Sequence, residues 1–193
     1  HLDARLPVQY VIRPQTHKSR DYRGYAGKIE GGAFKKGDRV KLLPSGFMTT
    51  IKAIEINGKN IEEAFSPMSV SVTLKDDLDV SRGDMIVKEN NVPVISQDLN
   101  LMICWMDSAY LKPRKKVIIK HTTNECMGMI TQILYKLDIN TLHSIKDFED
   151  FKLNDIGRIK IRSSKPLFYD SYKKNRHTGS IILIDPNTNA TIA

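Results

Sequence analysis

Short apolar segments recur along the first half of this chain, separated by turn-forming residues at intervals of roughly ten residues. The segment 69–74 (SVSVTL) alternates valine or leucine with serine or threonine, which is the period of a strand with one buried face. Asn57 and Gly58 follow another such segment, and both tolerate the positive φ angles of a two-residue hairpin turn. No helical stretch interrupts the set. Six or so short strands of this kind predict a closed antiparallel β-barrel.

A glycine-rich stretch, residues 21–40, stands out within this set and follows the polar loop 17–20. We expect one strand, a tight turn at Gly31 and Gly32, and a second strand. Glycine suits the turn because it adopts backbone angles that a Cβ disfavours. The stretch therefore predicts a β-hairpin at a barrel corner.

A second all-β pattern begins beyond residues 90–93 (NNVP), which we interpret as a linker. One segment, 143–151, has apolar side chains three residues apart and predicts a single helical turn. The fold class is therefore all-β, with two consecutive antiparallel β-barrels. We place the first barrel at residues 1–92 and the second at residues 93–193.

The composition excludes several classes of protein. The formal net charge of +8 divides into +3 over residues 1–94 and +5 over residues 95–193, so it forms no basic tail. Cys104 and Cys126 are the only cysteines and lie among apolar neighbours, which predicts buried thiols and a cytoplasmic location. No apolar run approaches the roughly 18 residues of a membrane span, and no signal peptide is apparent. Because the chain opens without methionine, we expect it to be a piece of a longer protein.

No pattern of catalytic residue types emerges. The chain has no Gly-x-x-x-x-Gly-Lys-Ser/Thr phosphate loop and no Gly-x-Ser-x-Gly elbow, and its five histidines are scattered. Asp138 and Asp185 lie near strand ends and suit turns better than acid–base chemistry. Trp105 could stack on a base with Tyr110 nearby, but its apolar neighbours favour a core position. We predict no catalytic, nucleotide-binding or metal-binding residue in this chain.

An ordered set of motifs over both halves resembles domains two and three of the translation-factor class of GTPases, as in elongation factor Tu. Residues 23–32 (RGYAGKIEGG) and 36–40 (KGDRV) resemble the start of the second domain of these GTPases. Residues 81–84 (SRGD) resemble the last turn of that domain.

Within that class the chain most resembles the large, GTP-binding subunit of bacterial sulfate adenylyltransferase. The residues that carry this resemblance are 6–11 (LPVQYV), 13–14 (RP), 21–27 (DYRGYAG), 43–46 (LPSG), 62–64 (EEA), 105–106 (WM), 138–141 (DINT), 153–157 (LNDIG), 165–167 (KPL), 175–179 (NRHTG) and 184–185 (ID).

The resemblance implies an activity for the whole family member: ATP and sulfate give adenylyl sulfate and pyrophosphate, driven by GTP hydrolysis. GTP and magnesium would bind an N-terminal GTPase domain that is absent from this chain, and a small partner subunit would carry out adenylyl transfer. We expect the two barrels to be a scaffold and docking module for both partners, with no cofactor of their own.

Six residues that we predict on exposed loops are candidates for these interdomain and subunit contacts: Arg23, Tyr25, Arg82, Arg158, Asn175 and Arg176. For each of them, a purely local role in a turn is the alternative.

Two other functions remain open. A translation-factor module would use the basic charge to bind tRNA or ribosomal RNA, but the charge is diffuse and no aromatic residues interleave with it, which argues against nucleic acid. A free-standing two-barrel adaptor would never have had a GTPase domain. The coding sequence upstream of Leu2 distinguishes this adaptor from a sulfate adenylyltransferase subunit.

Overall fold

The computed structural model describes residues 3–14 and 22–193, so the predicted polar loop 17–20, Asp21 and His1 lie outside the described residues. The described part of the chain is all-β and contains no α-helix, hence no helix that could cross a membrane. Its strands are β1 (Arg5–Pro7), β2 (Tyr10–Ile12), β3 (Gly24–Lys28), β4 (Ala33–Lys35), β5 (Arg39–Leu43), β6 (Met48–Ile56), β7 (Lys59–Ile61), β8 (Glu63–Phe65), β9 (Ser69–Leu74), β10 (Met85–Lys88), β11 (Val94–Cys104), β12 (Lys116–His121), β13 (Asn124–Leu137), β14 (Ser144–Ile145), β15 (Ile156–Tyr169) and β16 (Ile182–Ile184).

The strands are distributed between two compact units. The first unit comprises residues 1–94 together with 122–124 and 168–180, and the second comprises 95–121, 125–167 and 181–193. The first unit therefore includes a segment, 168–180, that is far along the chain from the rest of it.

The main sheet of the first unit is a closed barrel. Its strands follow the order β1-β10-β5-β6-β9-β3-β2, and each neighbouring pair is antiparallel. Only Val8 and Gln9 separate β1 from β2, so the path ends on the chain segment where it began. The backbone N–H of Val8 donates to Asp84 O at 2.9 Å and that of Gln9 to Ala26 O at 2.8 Å, so the crossing is hydrogen-bonded on both sides.

The period-two pattern of β9 produces the core that it predicts. Val70, Val72 and Leu74 are buried in the cluster that fills the barrel, together with Leu6, Phe34 and Ile54 among others. Each such side chain contributes about 1.5–3 kcal/mol when it is buried. The predicted hairpin at Asn57 and Gly58 is also confirmed, with φ angles of 50° and 76° and with β6 paired to β7.

The predicted hairpin across Gly31 and Gly32 is wrong. Strand β3 pairs with β2 and β9, whereas β4 pairs with β8 in a separate two-stranded sheet. The reason is that residues beyond β3 bond to distant segments, since the N–H groups of Ile29 and Glu30 donate to Met68 O and Arg5 O, both at 2.9 Å. Gly32, with φ of 60°, redirects the chain instead of closing a hairpin.

The second unit contains an antiparallel sheet in the order β11-β15-β13-β12-β16, with β14 paired to β13. Its inner face is buried and aliphatic, with Val117, Ile119, Ile130, Ile159, Ile161 and Leu183 among its residues. Trp105 is fully buried, which confirms its predicted core position, and its Nε1–H donates to Ala109 O at 2.8 Å.

The helical turn predicted at 143–151 is wrong. Ser144 and Ile145 form β14 instead, and pair with Leu137 and Lys136 of β13. In this extended segment the apolar residues three positions apart reflect tertiary packing and not a helix. Phe151 is buried, and its ring lies 6.2 Å from that of Phe148 in an edge contact.

Candidate docking surfaces

Tyr25 is a core residue and not an exposed loop residue, so that part of the prediction is wrong. It lies within β3, is 1% exposed, and its hydroxyl donates to Leu78 O at 2.8 Å. Burial raises the pKa of this phenol. Side chains alternate between the two faces of β3, and this alternation directs Tyr25 into the barrel. There its hydroxyl fixes the position of the Leu78 carbonyl.

Arg23 is half-buried at the rim of an open cleft of about 580 Å³. Its Nη1 donates to Leu78 O at 3.2 Å and lies 2.6 Å from the exposed carboxylate of Asp77. Lys52 and Glu55 also line the cleft. The cleft is therefore lined by both basic and acidic groups, which suits a polar partner surface better than an apolar ligand.

Tyr22 and Glu55 form a second pair in this cleft, and neither was singled out from the sequence. The Tyr22 hydroxyl donates to Glu55 Oε2 at 3.0 Å. Burial, the hydrogen bond and the charge of Glu55 raise the pKa of Tyr22 to about 12. The two residues are 33 positions apart, and no local pattern signals their contact.

Arg82 is exposed at the tip of a tight turn. The N–H of Ser81 donates to Asp84 Oδ2 at 2.8 Å, and Gly83 adopts a φ of 96°. Arg82 makes no ion pair with any residue that the structure describes. The turn therefore fixes the backbone at Arg82 and leaves its side chain exposed on a loop, the location that the sequence predicted.

Asn175 is 8% exposed, so its predicted exposure is wrong. Its Nδ2 donates to Glu30 O at 2.8 Å, and its Oδ1 accepts from the N–H groups of His177 and Thr178 at 3.0 and 3.3 Å. Gly31 permits this approach, because a Cβ there would lie 3.0 Å from Asn175 Nδ2. Asn175 therefore anchors the segment 168–180 to the first unit.

Arg176 follows this anchor and is exposed, with its guanidinium carbon 6.0 Å from the centre of the Tyr172 ring. Asn175 holds the backbone that presents Arg176. The pair thus combines a positioning residue with an exposed cation.

Arg5 and Asp170 form a buried, two-point ion pair in the first unit. The Arg5 side chain is fully buried, and its Nε and Nη2 donate to the two oxygens of Asp170, both at 2.9 Å. Nη1 donates to Asn91 O at 2.7 Å, and the Thr178 hydroxyl donates to Asp170 Oδ2 at 2.8 Å. Buried charges need such pairing and hydrogen bonding. The residues are 165 positions apart, so the sequence carries no signal for the contact.

Arg158 lies in β15 and not on a loop, so its predicted location is wrong. Its Nε donates to Asn100 Oδ1 at 2.7 Å, and it lies opposite Tyr135 of β13. Arg158 is half-buried on the outer face of the second sheet.

The six predicted residues thus form separate groups. Arg23 and Tyr25 meet at the Leu78 carbonyl, and Asn175 precedes Arg176 in the anchored segment. Arg158 belongs to the second unit and the other five to the first. Among the described residues, no cluster of three His, Cys, Asp or Glu side chains could hold a metal ion, and Asp138 and Asp185 accept backbone hydrogen bonds in turns, as predicted.

Comparisons with known proteins give the chain its relatives. Residues 98–193 match the family model GTP-eEF1A C-terminal domain-like. The chain is 48% identical over 193 residues to the bifunctional enzyme CysN/CysC of Mycobacterium tuberculosis H37Rv, and 44% identical over 192 residues to sulfate adenylyltransferase subunit 1 of Bacteroides fragilis. The two alignments cover 100% and 99% of this chain but only 31% and 39% of the two relatives. It thus spans between three and four tenths of their length.

A solved structure of Sup35 complexed with GDP superimposes with a TM-score of 0.84 over 99% of this chain and 47% of that one, at 16% identity. At this identity the likeness shows the fold alone, and it confirms the predicted all-β, translation-factor type. The chain is therefore homologous along its whole length to a part of sulfate adenylyltransferase subunit 1, and its residues 98–193 match the family model GTP-eEF1A C-terminal domain-like.

Proposed function

We propose that this chain is the non-catalytic two-barrel part of the GTP-dependent subunit of sulfate adenylyltransferase. The observation that carries the proposal is 44–48% identity along the whole chain to proteins named for that activity. The complete protein then couples GTP hydrolysis to the formation of adenylyl sulfate and pyrophosphate from ATP and sulfate. GTP and magnesium bind a preceding GTPase domain, and a small subunit catalyses adenylyl transfer.

The two barrels act in this proposal as a rigid scaffold. The bound nucleotide can change the state of a partner subunit only through contacts that differ between the two states. A closed barrel with a buried and fully bonded ion pair transmits a domain movement better than flexible loops do. We expect the assembly to work in the cytoplasm, since Cys104 and Cys126 are both free thiols.

In this proposal the arginines among the six predicted residues make the contacts with the GTPase domain and the small subunit. Arg82 and Arg176 are exposed, and Arg23 and Arg158 are half-buried, with their guanidinium groups bonded to Asp77 and Asn100 respectively. Tyr25 and Asn175 are positioning residues, because they fix the Leu78 carbonyl and the backbone before Arg176. Arginine suits such contacts because its planar group binds carboxylates at two points.

A reconstitution tests the proposal. The protein is expressed from its complete reading frame and mixed with the small subunit of the same organism, ATP, sulfate and GTP, and adenylyl sulfate is measured. We expect product that requires both GTP and the small subunit, while residues 1–193 alone hydrolyse no GTP. Product without GTP, or GTP turnover by residues 1–193, would contradict the proposal.

The translation-factor alternative rests on the fold alone, because the likeness to Sup35 is at 16% identity. An RNA-binding module of that kind loses affinity steeply as salt rises. Salt-sensitive binding of tRNA by the full-length protein would favour it over the sulfate adenylyltransferase function.

A further inference from the structure

The outer face of the second unit's sheet carries an apolar centre. Ile118 of β12 lies directly opposite Ile184 of β16, and both are half-buried. Met127 and Met129 of β13 point to the same side of the sheet as each other, because the residues that alternate with them are buried. The exposed fractions are 43% for Met127, 39% for Met129 and 43% for Ile182. We call these five residues, Ile118, Met127, Met129, Ile182 and Ile184, the outer apolar centre.

Basic side chains surround this centre. Lys120 lies opposite Ile182, and Arg162 lies opposite Met129. Lys116 and Lys160 are exposed on the flanking positions of β12 and β15. Lys116, Lys120 and Lys160 make no ion pair with any residue that the structure describes, and Arg162 pairs only with the exposed Asp98, at 2.9 Å. Glu125 lies on the same exposed face of β13 as the two methionines, so the four basic side chains of the rim face two carboxylates, those of Glu125 and Asp98, and the rim keeps a net positive charge.

The arrangement has the anatomy of a protein interface. The four strands from β16 to β15 span about 14 Å at their usual spacing. An apolar centre inside a polar rim is typical of protein–protein contacts, and methionine adapts its shape to a partner surface. Exposed apolar residues that cluster on one face indicate a binding site, whereas scattered ones do not.

The charge of the rim indicates which kind of molecule can bind this face. A second copy of this chain would bring two basic rims together, which is unfavourable. Nucleic acid would satisfy the lysines but not the methionine and isoleucine side chains, which offer no stacking surface. An acidic protein surface with apolar residues at its centre complements both parts of the face.

We infer that this outer face of β16, β12, β13 and β15 is a docking site for an acidic protein surface. The inference rests on the proposed function in one respect, since it assigns that surface to the small subunit. Of the six residues predicted from the sequence, this face includes Arg158 of β15 alone, and the apolar centre and the lysines of the rim are additional to them.

Binding of the small subunit to the full-length protein, measured by isothermal titration calorimetry, tests the inference. One variant carries Met127→Ser and Met129→Ser, and another carries Lys116→Glu and Lys120→Glu. The matched controls carry Ile139→Ser and Leu142→Asn, which alter two exposed aliphatic residues elsewhere in the second unit, or Lys146→Glu and Lys152→Glu, which make the same change of charge. Circular dichroism verifies that each variant is folded.

We expect each face variant to weaken binding by about tenfold or more and each control by less than about twofold, as central interface residues do compared with peripheral ones. Raising the salt from about 0.05 M to about 0.5 M should weaken wild-type binding severalfold by screening the rim. If the wild type binds and the face variants bind equally well, the inference is overturned and the proposed function stands. If the wild type does not bind the small subunit, both are overturned. Competition by polyuridine at equal concentration would overturn the choice of a protein occupant.

Discussion

Arg5 illustrates how a single buried charge can determine local structure. Its guanidinium is fully buried, and Asp170, Asn91, Asp3 and Ala4 accept its hydrogen bonds. Such a pair adds little net stability compared with apolar residues of the same volume, because both charges lose their hydration. It adds a strict geometric requirement instead, since only one placement of the segment 168–180 gives both 2.9 Å bonds.

Asp170→Ala should lower the free energy of unfolding of the first unit by about 3 kcal/mol, because it removes both 2.9 Å bonds from the buried Arg5 guanidinium and leaves Asp3, at 3.4 Å, as its ionic partner. Urea denaturation followed by circular dichroism measures the change. Asp98→Ala is the matched control, because it breaks the exposed pair with Arg162 and should cost at most about 1 kcal/mol. Equal losses in the two variants would show that burial does not govern the Arg5 pair.

Tyr22 should make the first unit sensitive to alkaline pH. Its pKa is about 12 in the folded protein against 10.0 ordinarily, so the folded state retains a proton that the unfolded state releases. The stabilisation is therefore complete below pH 10 and is lost as the pH rises from 10 towards 12. The free energy of unfolding of the wild type minus that of Tyr22→Phe should fall over this range.

Absorbance of the tyrosinate at 295 nm gives a direct readout of Tyr22, as the difference between wild type and Tyr22→Phe. Glu55→Gln should lower this pKa, because it removes the neighbouring negative charge. An unchanged pKa in Glu55→Gln would contradict the role assigned to that charge.

Some residues were predictable because their roles depend on nearby sequence. The turn at Asn57 follows from backbone preferences of two adjacent residues, and the burial of Trp105 follows from its apolar neighbours. Tyr25 and Asn175 were misplaced because exposure depends on strand phase and on distant partners. The 145 positions between Asn175 and Glu30 hold no local signal of their contact.

At the scale of elements, the segment 168–180 is held by side chains more than by backbone pairing. Beyond Tyr169 it contains no strand, and it is fixed by Asp170, Asn175 and Thr178. An element of this kind opens locally when one anchor is lost.

Asn175→Ala should therefore expose this segment to trypsin, which cleaves after Lys173, Lys174 and Arg176. Loss of the bond to Glu30 O and of the two backbone bonds should cost about 1.5 kcal/mol, equivalent to roughly tenfold faster cleavage. Mass spectrometry of a timed digest measures the rate. Asn140→Ala, which removes an exposed amide in the second unit, should leave cleavage at these sites unchanged. Equal rates for wild type and Asn175→Ala would show that the anchor is not needed.

The elements that were mispredicted share one physical cause. The glycines at 31–32 correctly indicate a change of chain direction, since the chain turns at Gly32. The apolar spacing at 143–151 correctly indicates a buried side chain, since Phe151 is buried. Pairing of β3 with β9 depends on residues far along the chain, whereas β14 pairs with β13 only a few residues before it; in both places the strand pairing overrides the local preference.

At the scale of the whole molecule, the chain returns to the first unit after building most of the second. Phe168 joins Leu43, Met85 and Val87 in a buried cluster, so the returning segment contributes to the core as well as to the ion pair. The placement of domains at 1–92 and 93–193 remains a prediction, and its test is whether the first part of the chain folds without residues 168–180.

We expect residues 1–94 expressed alone to be much less stable to urea than the first unit of the complete chain. The shortened chain leaves Arg5 buried without Asp170 and leaves the cluster around Met85 without Phe168, and these two defects should each cost several kcal/mol, or about 3 or more. Fusing residues 168–180 through a Gly-Ser linker should restore most of the stability, whereas Arg5→Met in the shortened chain should restore the electrostatic part alone. If residues 1–94 unfold at the same urea concentration as the complete first unit, the barrel folds independently and residues 168–180 do not contribute to its stability. If the fused segment restores more stability than Arg5→Met does, folding of the first unit requires residues 168–180, from the end of β15 onward.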